Sequence, residues 1–264
     1  MYGYLNSFIL SKTFDNLNSF FRKKFFKFFK IFFVETSLSV LPDNNHKIDS
    51  VNLEEEIKKF EVVFNEKIIP WTAQDNLINQ IDKLGYKNIK FLDIGAGSLS
   101  LFAHLNNHYK NLNYMYFDLP KYIEINKKIK KKFDLKNLFL IENLDTLESN
   151  VDLTYFGSSI QYIQDYKILL KGLFNKTTYF LISLTPFFNG EKKDDIIVKQ
   201  VNLADSIHYH YILNLDKFIN FMGENHYTLV NKEISKKIKF VNFKNFKKKY
   251  NDMSMLDLLF KKNK

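Results

Sequence analysis

The chain has 264 residues, of which 45% are hydrophobic and 26% charged, a composition typical of one full-size globular domain. It has no cysteine, which excludes disulfides, thiolate zinc sites and cysteine nucleophiles. The formal net charge of +10 favours an anionic partner: nucleic acid, an anionic membrane, or a phosphorylated or nucleotide-linked small molecule. Because neither a run of about 20 apolar residues nor a signal-peptide pattern occurs, the sequence predicts a cytoplasmic protein.

Residues 1–50 are rich in Phe, Asn and Lys and predict an extension that precedes the main domain. Within them, SFFRKKFFKFFKIFFVE places Phe on one broad arc of a helical wheel and Lys on the opposite side, which indicates an amphipathic helix. Two interpretations stay open. The Phe face packs on the main domain or on the second subunit of a homodimer, or residues 19–34 bind the inner face of an anionic membrane.

Residues 51–264 predict a single domain. Its first part, residues 51–88, contains two predicted helices, NLEEEIKKFEVVFNEKI and AQDNLINQIDKLGY, the second of which ends near Gly85. Strands and helices then alternate, which indicates parallel crossovers. The predicted core elements are strand Ile89–Ile94, helix Leu99–His108, strand Asn113–Phe117, helix Lys121–Lys132, strands Leu138–Glu142 and Val151–Phe156, helix Asp165–Leu173 and strand Thr178–Leu184.

An insertion at residues 186–214 follows the last of these strands, where it is expected to face a substrate. A helix at Leu215–Met222 leads to two further strand-like runs, Tyr227–Glu233 and Ile238–Phe243, which are expected to pair as a hairpin. The predicted fold class is therefore α/β and Rossmann-like. Its sheet has seven mostly parallel strands, a C-terminal antiparallel hairpin and an N-terminal helical extension.

The segment FLDIGAGSLS combines the end of a buried strand with two glycines that allow a sharp turn into a helix. A dinucleotide fingerprint has a third glycine three residues after Gly97, where this chain has Ser100. Asp93 also stands two residues before Gly95, where its carboxylate can orient the amino-acid end of a cofactor or serve the structure of the loop. Both features favour S-adenosylmethionine over a dinucleotide.

Three later strand ends supply further candidates for contact with this cofactor. In YFDLP, Asp118 ends the second strand with a carboxylate suited to both ribose hydroxyls, and Leu119 follows it. After the third strand, in the segment Glu142-Asn143-Leu144, an amide or an acid is expected to contact the exocyclic amine of adenine and an apolar side chain to pack on its ring. After the fourth, small polar residues mark the edge at which the reacting methyl group is expected. The candidates at these two strand ends are Asn143 and Leu144, then Ser158 and Gln161.

The segments FLDIGAGSLS, YFDLP, YFGSSIQYIQDY and FLISLTPF, in this order, resemble a bacterial family of class I methyltransferases associated with surface-polysaccharide (capsule and O-antigen) loci. The resemblance covers roughly residues 68–235. It departs from the family at Ala96, since the family commonly has two adjacent glycines there. The YFDLP segment is also similar to the ribose-binding turn of small-molecule O-methyltransferases, many of which use a histidine as general base.

That resemblance directs attention to the histidines. His208 and His210 lie in the insertion, and either imidazole could take a proton from an acceptor hydroxyl near the working pH. If HYH is a strand, both histidines share a face, as metal ligands can, but no third ligand accompanies them, so no metal is predicted. Asp194 and Asp195, in GEKKDD, are interpreted as part of a charged loop.

The expected reaction is O-methylation of a small phosphorylated or nucleotide-linked carbohydrate precursor of a surface polysaccharide. Methylation of a phosphate or phosphoramidate oxygen on a capsule precursor is the alternative within the same class. A membrane-associated, non-catalytic scaffold with a degenerate methyltransferase fold is the alternative from another class. Nucleic acid is disfavoured as a partner, because no binding module or base-methyltransferase motif is present.

Overall fold

The computed structural model describes residues 33–42, 52–70, 77–147, 150–190, 194–200, 208–235 and 251–263. The helices in these ranges are α1 (Leu53–Glu66), α2 (Leu77–Leu84), α3 (Ser100–Asn106), α4 (Pro120–Lys132), α5 (Tyr166–Leu173) and α6 (Leu215–Glu224). The strands are β1 (Phe33–Glu35), β2 (Ile89–Ile94), β3 (Leu112–Phe117), β4 (Leu138–Ile141), β5 (Val151–Gly157), β6 (Thr177–Asn189), β7 (Ile196–Gln200), β8 (His208–Asn214), β9 (Tyr227–Ile234) and β10 (Asn251–Lys262).

The central strands form a parallel sheet in the order β4-β3-β2-β5-β6, which confirms the predicted crossovers. The alternation of side chains along β2 explains why both sheet faces are covered. Phe91 points into a core formed with α1 to α4, whereas Leu92 and Ile94 point into a second core with α5 and α6. The carboxyl ends of β2, β3, β4 and β5 therefore meet at one edge.

The C-terminal end of the sheet is antiparallel, as predicted, and β10 is the described partner of β9. β9 pairs with β10, and β10 also pairs with β6, so the chain's last described strand lies between the two. The expected partner, Ile238–Phe243, lies outside the described residues. Leu256, Leu258 and Phe260 are buried in the second core, which explains why β10 takes an inner position.

The predicted insertion extends the same sheet. β6 continues to Asn189, and the end of β6 pairs in parallel with β8 through Phe187 and Phe188. β7 pairs antiparallel with β8, and β1 pairs antiparallel with β7. Phe33–Glu35, assigned from the wheel to the end of the amphipathic helix, is thus a strand, because the outer edge of β7 offers it backbone partners. Residues 19–32 of that helix lie outside the described residues.

The lead-in helices are held by aromatic contacts. Phe60 of α1 packs on Phe102 of α3 and Phe133 after α4, with ring centroids 6.4 Å and 4.9 Å away. Glu61 also forms an ion pair with Lys132 at 3.1 Å. These contacts fix α1 against the helices that flank the glycine loop. In the described parts of the chain, no helix is both long and apolar enough to cross a membrane.

Candidate active site

The glycine loop turns sharply after β2. Gly95 and Gly97 both have φ +72°, a left-handed conformation that glycine adopts without steric cost. The Gly95 N–H donates to the Phe117 carbonyl at 2.9 Å, which ties the loop to the end of β3. A Cβ placed on Gly95 would lie 2.8 Å from Ser159 Cβ, so a side chain has no room there. Both predicted glycines are therefore required by the geometry of the turn.

Asp118 closes the loop from the next strand. Its Oδ2 accepts from Gly97 N at 2.7 Å and from Tyr116 Oη at 2.9 Å, and its Oδ1 accepts from Leu119 N at 2.7 Å. Burial raises the pKa of this carboxyl, while the hydrogen bonds oppose that shift. The carboxylate thus organises the loop and retains one lone pair, on Oδ1, that can accept a further hydrogen bond.

Asp93 lies behind the loop rather than on its open side. The side chain is completely buried, its Oδ2 accepts from Tyr114 Oη, and its Oδ1 has no hydrogen-bond partner. Burial raises its pKa to about 7, the Tyr114 hydrogen bond opposes this, and Asp118 adds to it. Of the two roles expected for Asp93, the visible contact is the structural one, a link between β2 and β3.

A cavity of about 830 Å³ opens beside the loop, large enough for a nucleoside. The ends of β2 and β3 and the first turns of α4 form one side, with Gly95, Asp118 and Leu119 among the lining residues. Ile163 and Leu169 supply an apolar wall opposite. Leu119 is 45% exposed, so its apolar surface is available to a flat ring.

At the third strand end, the cavity is lined by the acid of the segment Glu142-Asn143-Leu144 rather than by the amide. Glu142 lines the cavity and forms an ion pair with Lys127 at 2.5 Å. Asn143, the amide candidate for contact with adenine, is exposed, and its Oδ1 accepts from Asp145 N at 2.9 Å. Leu144 packs against the second core.

The segment after β5 runs beside the glycine loop. Ser158 has φ +62°, and the buried Gln161 donates from Nε2 to Ser158 Oγ at 3.0 Å and accepts from Thr185 Oγ1 at 3.3 Å. Ser159, which was not predicted, donates to the Ile94 carbonyl at 2.6 Å. The structure therefore brings Ser158 and Gln161 to the predicted edge, and Ser159 is the residue that joins this segment to β2.

Both candidate histidines lie on β8 and face Tyr162, which follows this segment. The ring centroids of His208 and His210 lie 6.5 Å and 5.3 Å from that of Tyr162. His210 is only 1% exposed; its Nδ1 lies 2.8 Å from the Tyr211 carbonyl oxygen, and its Nε2 has no hydrogen-bond partner. Burial lowers its pKa to about 4. His208 is partly exposed, so it is the more accessible of the pair.

The buried ring of His210 predicts a pH-dependent stability. Because its pKa falls from 6.5 to about 4 on folding, the neutral ring contributes stability fully above pH 6.5, and this contribution is lost as pH falls toward 4. His210→Phe should therefore flatten the acid side of the profile by roughly 2–3 kcal/mol at pH 4.5. Urea unfolding at pH 7.5 and 4.5 measures this difference in the free energy of unfolding, with a substitution at an exposed histidine, His108→Gln, as control. The same loss of stability between the two pH values in wild type and in His210→Phe would contradict the role of His210.

No group of three or more potential metal ligands occurs among the described residues. Asp195 instead accepts from Tyr166 Oη at 2.7 Å and from Asn214 N at 2.8 Å, which joins α5 to the start of α6. Asp194 forms an exposed ion pair with Lys217 at 2.6 Å. These two carboxylates have structural contacts, in keeping with the charged-loop interpretation.

No protein-family model and no curated protein matches the sequence. Solved structures do match the fold. An S-adenosylmethionine-dependent methyltransferase from Clostridium acetobutylicum is 15% identical, with a TM-score of 0.51 over 81% of this chain and 100% of that one. An S-adenosylmethionine-dependent methyltransferase from Methanosarcina mazei is 10% identical, with a TM-score of 0.50 over 69% of this chain and 96% of that one.

A third structure is the 1,6-didemethyltoxoflavin-N1-methyltransferase of Burkholderia thailandensis, solved with 1,6-didemethyltoxoflavin and S-adenosylhomocysteine. It is 9% identical, with a TM-score of 0.49 over 88% of this chain and 95% of that one. At these identities the first two matches establish the architecture. The chain has the Rossmann-like fold of S-adenosylmethionine-dependent methyltransferases.

Proposed function

We propose that this protein binds S-adenosylmethionine at the glycine loop and transfers its methyl group to a small-molecule acceptor. One observation carries the proposal: Asp118 fastens Gly97 to the end of β3 beside a cavity of about 830 Å³. The left-handed conformation of Gly95 and Gly97, and the close approach of Ser159 to Gly95, let the loop turn beside this cavity. The fold shared with two S-adenosylmethionine-dependent methyltransferases supports the same cofactor.

The adenosine half fits the residues that line the cavity. Asp118 Oδ1 keeps one lone pair for a ribose hydroxyl, and Leu119 offers an apolar surface to the adenine ring. Glu142 is placed to accept a hydrogen bond from the exocyclic amine. We assign Asn143 and Leu144 to the turn that supports Glu142, since Asn143 caps this turn.

The methyl end is assigned to the segment after β5, where Ser158 and Gln161 lie beside the loop. S-adenosylmethionine, when bound, supplies a methyl group attached to a positively charged sulfur. An acceptor oxygen held in line attacks that carbon, the carbon–sulfur bond breaks, and S-adenosylhomocysteine leaves. His208, the accessible histidine on β8, is the proposed base that removes the acceptor's proton.

The proposed acceptor is a small phosphorylated or nucleotide-linked carbohydrate precursor of a surface polysaccharide. The net charge of +10 favours an anionic acceptor. Methylation of a phosphate or phosphoramidate oxygen is the second candidate. The observation in its favour is that burial lowers the pKa of His210, which makes this histidine a weak base. A phosphate oxygen is already anionic, so its methylation needs no strong base.

Membrane contact through residues 19–34 and a homodimer through the same Phe face also stay as proposals. Residues 19–32 lie outside the described residues. Phe33, in β1, is buried against His210 of β8. Sedimentation with anionic and neutral vesicles, for the full chain and a chain without residues 1–32, tests the membrane contact. Equal sedimentation of the two chains would contradict it.

The function is tested by titration calorimetry and then by turnover. We expect S-adenosylhomocysteine to bind at one site per chain, and methyl-labelled S-adenosylmethionine to label nucleotide-linked or phosphorylated sugars. With a hydroxyl acceptor, His208→Ala should lower kcat by about 100-fold or more, because general bases contribute on that order. With a phosphate acceptor, the same change should leave kcat nearly unaltered. If S-adenosylhomocysteine does not bind, the proposed methyltransferase activity is refuted. Binding without turnover would favour the non-catalytic scaffold.

A further inference from the structure

Lys127 and Glu142 form an ion pair in the wall of the cavity assigned to adenosine. Both residues line the cavity, and Lys127 Nζ lies 2.5 Å from Glu142 Oε1. Lys127 belongs to α4, whereas Glu142 directly follows β4. The two side chains are 55% and 67% exposed, and an ion pair that is so open to solvent contributes little to stability. The position of the pair in the cavity is therefore its more informative property.

The pair lies next to the proposed ribose contact. Phe117 and Ile141 are paired in the parallel ladder of β3 and β4, so Asp118 and Glu142, which follow them, leave neighbouring strands side by side. Both carboxylates line the same cavity, together with the apolar surface of Leu119. A base that is attached to a ribose at Asp118 and packs on Leu119 can therefore reach Glu142 and its partner with its polar edge.

Both members of the pair have hydrogen-bonding capacity left for a ligand. A lysine ammonium has three N–H donors, and its contact with Glu142 Oε1 uses one of them. The carboxylate can accept further hydrogen bonds on either oxygen. Within the described residues, neither side chain makes another polar contact. The pair thus presents a hydrogen-bond acceptor and a hydrogen-bond donor side by side at the cavity surface.

This arrangement is complementary to the Watson–Crick edge of adenine, where the exocyclic amine, a donor, adjoins N1, an acceptor. A base read at this edge needs an acceptor and a donor at a similar spacing, and the pair offers them 2.5 Å apart. Lys127 also compensates the charge of Glu142 when the ring displaces water, which lowers the cost of desolvating the carboxylate. A purine with a carbonyl and an N–H at this edge has the reverse pattern and is disfavoured.

We propose that this ion pair reads the Watson–Crick edge of adenine, with Lys127 Nζ donating to N1 while Glu142 accepts from the exocyclic amine. This inference rests on the proposed function and adds Lys127 as a residue that determines specificity for the adenine base. It also assigns a role to α4, which lines the cavity one turn earlier with Ile123. The helix thus contacts the base through its exposed side chains, beyond the strand ends that hold the ribose.

The test uses ligands that differ by one ring atom: S-adenosylhomocysteine, its 1-deaza analogue, in which a C–H replaces N1, and its 3-deaza analogue, in which a C–H replaces N3. Calorimetric titrations of wild type and Lys127→Met give the Kd of each ligand. In wild type, loss of a hydrogen bond from a charged donor should raise the Kd of the 1-deaza analogue about tenfold above that of S-adenosylhomocysteine. In Lys127→Met, these two ligands should bind alike.

Lys128→Met is the matched control, because Lys128 is an exposed lysine of the same helix outside the cavity lining. It should keep the wild-type preference for S-adenosylhomocysteine over the 1-deaza analogue. Lys127→Arg, which keeps a donor, should retain part of that preference. The ratio of the Kd values for the 3-deaza analogue and S-adenosylhomocysteine should be the same in all these proteins, which also reports an intact pocket.

Equal binding of S-adenosylhomocysteine and the 1-deaza analogue by wild type would overturn the contact between Lys127 and N1. An unchanged preference in Lys127→Met would overturn it as well, and both results would leave the proposed function in place. Wild type that binds none of the ligands would overturn the proposed function instead. Because Lys127 is exposed, its replacement is expected to leave the fold intact.

Discussion

Gly95→Ala is expected to abolish detectable binding of S-adenosylhomocysteine and to destabilise the fold. Alanine at φ +72° costs about 1–2 kcal/mol, and its Cβ would meet Ser159 Cβ at 2.8 Å. Ser159 has little freedom to move aside, since its hydroxyl donates to the Ile94 carbonyl. With overlap added to strain, we expect a loss of about 2–4 kcal/mol in the free energy of unfolding.

Variants at two other glycines distinguish the effect of backbone strain from the effect of overlap with Ser159. Gly85 has φ +75° but open space around it, so Gly85→Ala should cost only the backbone strain and leave the cofactor's Kd unchanged. Gly172, in α5, has neither a positive φ nor a close neighbour, and Gly172→Ala should be neutral or slightly stabilising. Urea unfolding and calorimetry on the three variants measure both effects. Unchanged binding by Gly95→Ala would show that the loop is not the cofactor site.

Asp118→Ala should raise the Kd for S-adenosylhomocysteine by about 100-fold, with a smaller effect on stability. The change removes the acceptor for Gly97 N in the free protein and in the complex alike, and in the proposed complex it also removes the acceptor for a ribose hydroxyl. Loss of one charge-assisted hydrogen bond, about 1.5–3 kcal/mol, corresponds to a factor of this order. The loop also loses its tie to the end of β3, so the site is less well organised before the ligand arrives.

Asp145→Ala is the control, because Asp145 is an exposed acid outside the cavity lining. It should leave the Kd within a factor of about two, as surface substitutions usually do. Calorimetric titration at constant pH and ionic strength compares the three proteins. If Asp118→Ala and Asp145→Ala bind alike, the carboxylate after β3 is not a cofactor contact, and the assignment of the cavity fails with it.

The strand ends were predictable because local patterns set them. β2 has the predicted bounds, and β3, β4 and β5 each differ by only one or two residues, since short buried apolar runs ended by glycine or acid leave little choice. The fold class and the positions of Gly95, Gly97, Asp118 and the segment around Ser158 follow from those ends. The sequence left open whether the amide or the acid after β4 faces the cofactor, because a linear pattern does not show which side chain lines the cavity.

Long-range pairing was less predictable. Tyr227–Ile234 pairs with Asn251–Lys262, a pairing that depends on which segment fills the gap beside β6. The spacing of hydrophobic residues predicts a helix through Phe33–Glu35. The segment is a strand instead, because it pairs with β7, which lies far away in the sequence. Likewise, the HYH run predicted that, in a strand, both histidines lie on one face. It did not predict that His210 is buried.

The sequence by itself determined that two glycines turn the chain after β2 and that a carboxylate follows the next strand. Backbone conformation and short buried strands depend mainly on neighbouring residues, so the loop at Phe91–Ser100 was visible without coordinates. Only the tertiary structure decided that Asp118 bonds to Gly97, that Asp93 lies behind the loop and that Ser159 bonds to the Ile94 carbonyl. Those relations are contacts between distant segments, and the packing of the whole domain sets their burial and charge.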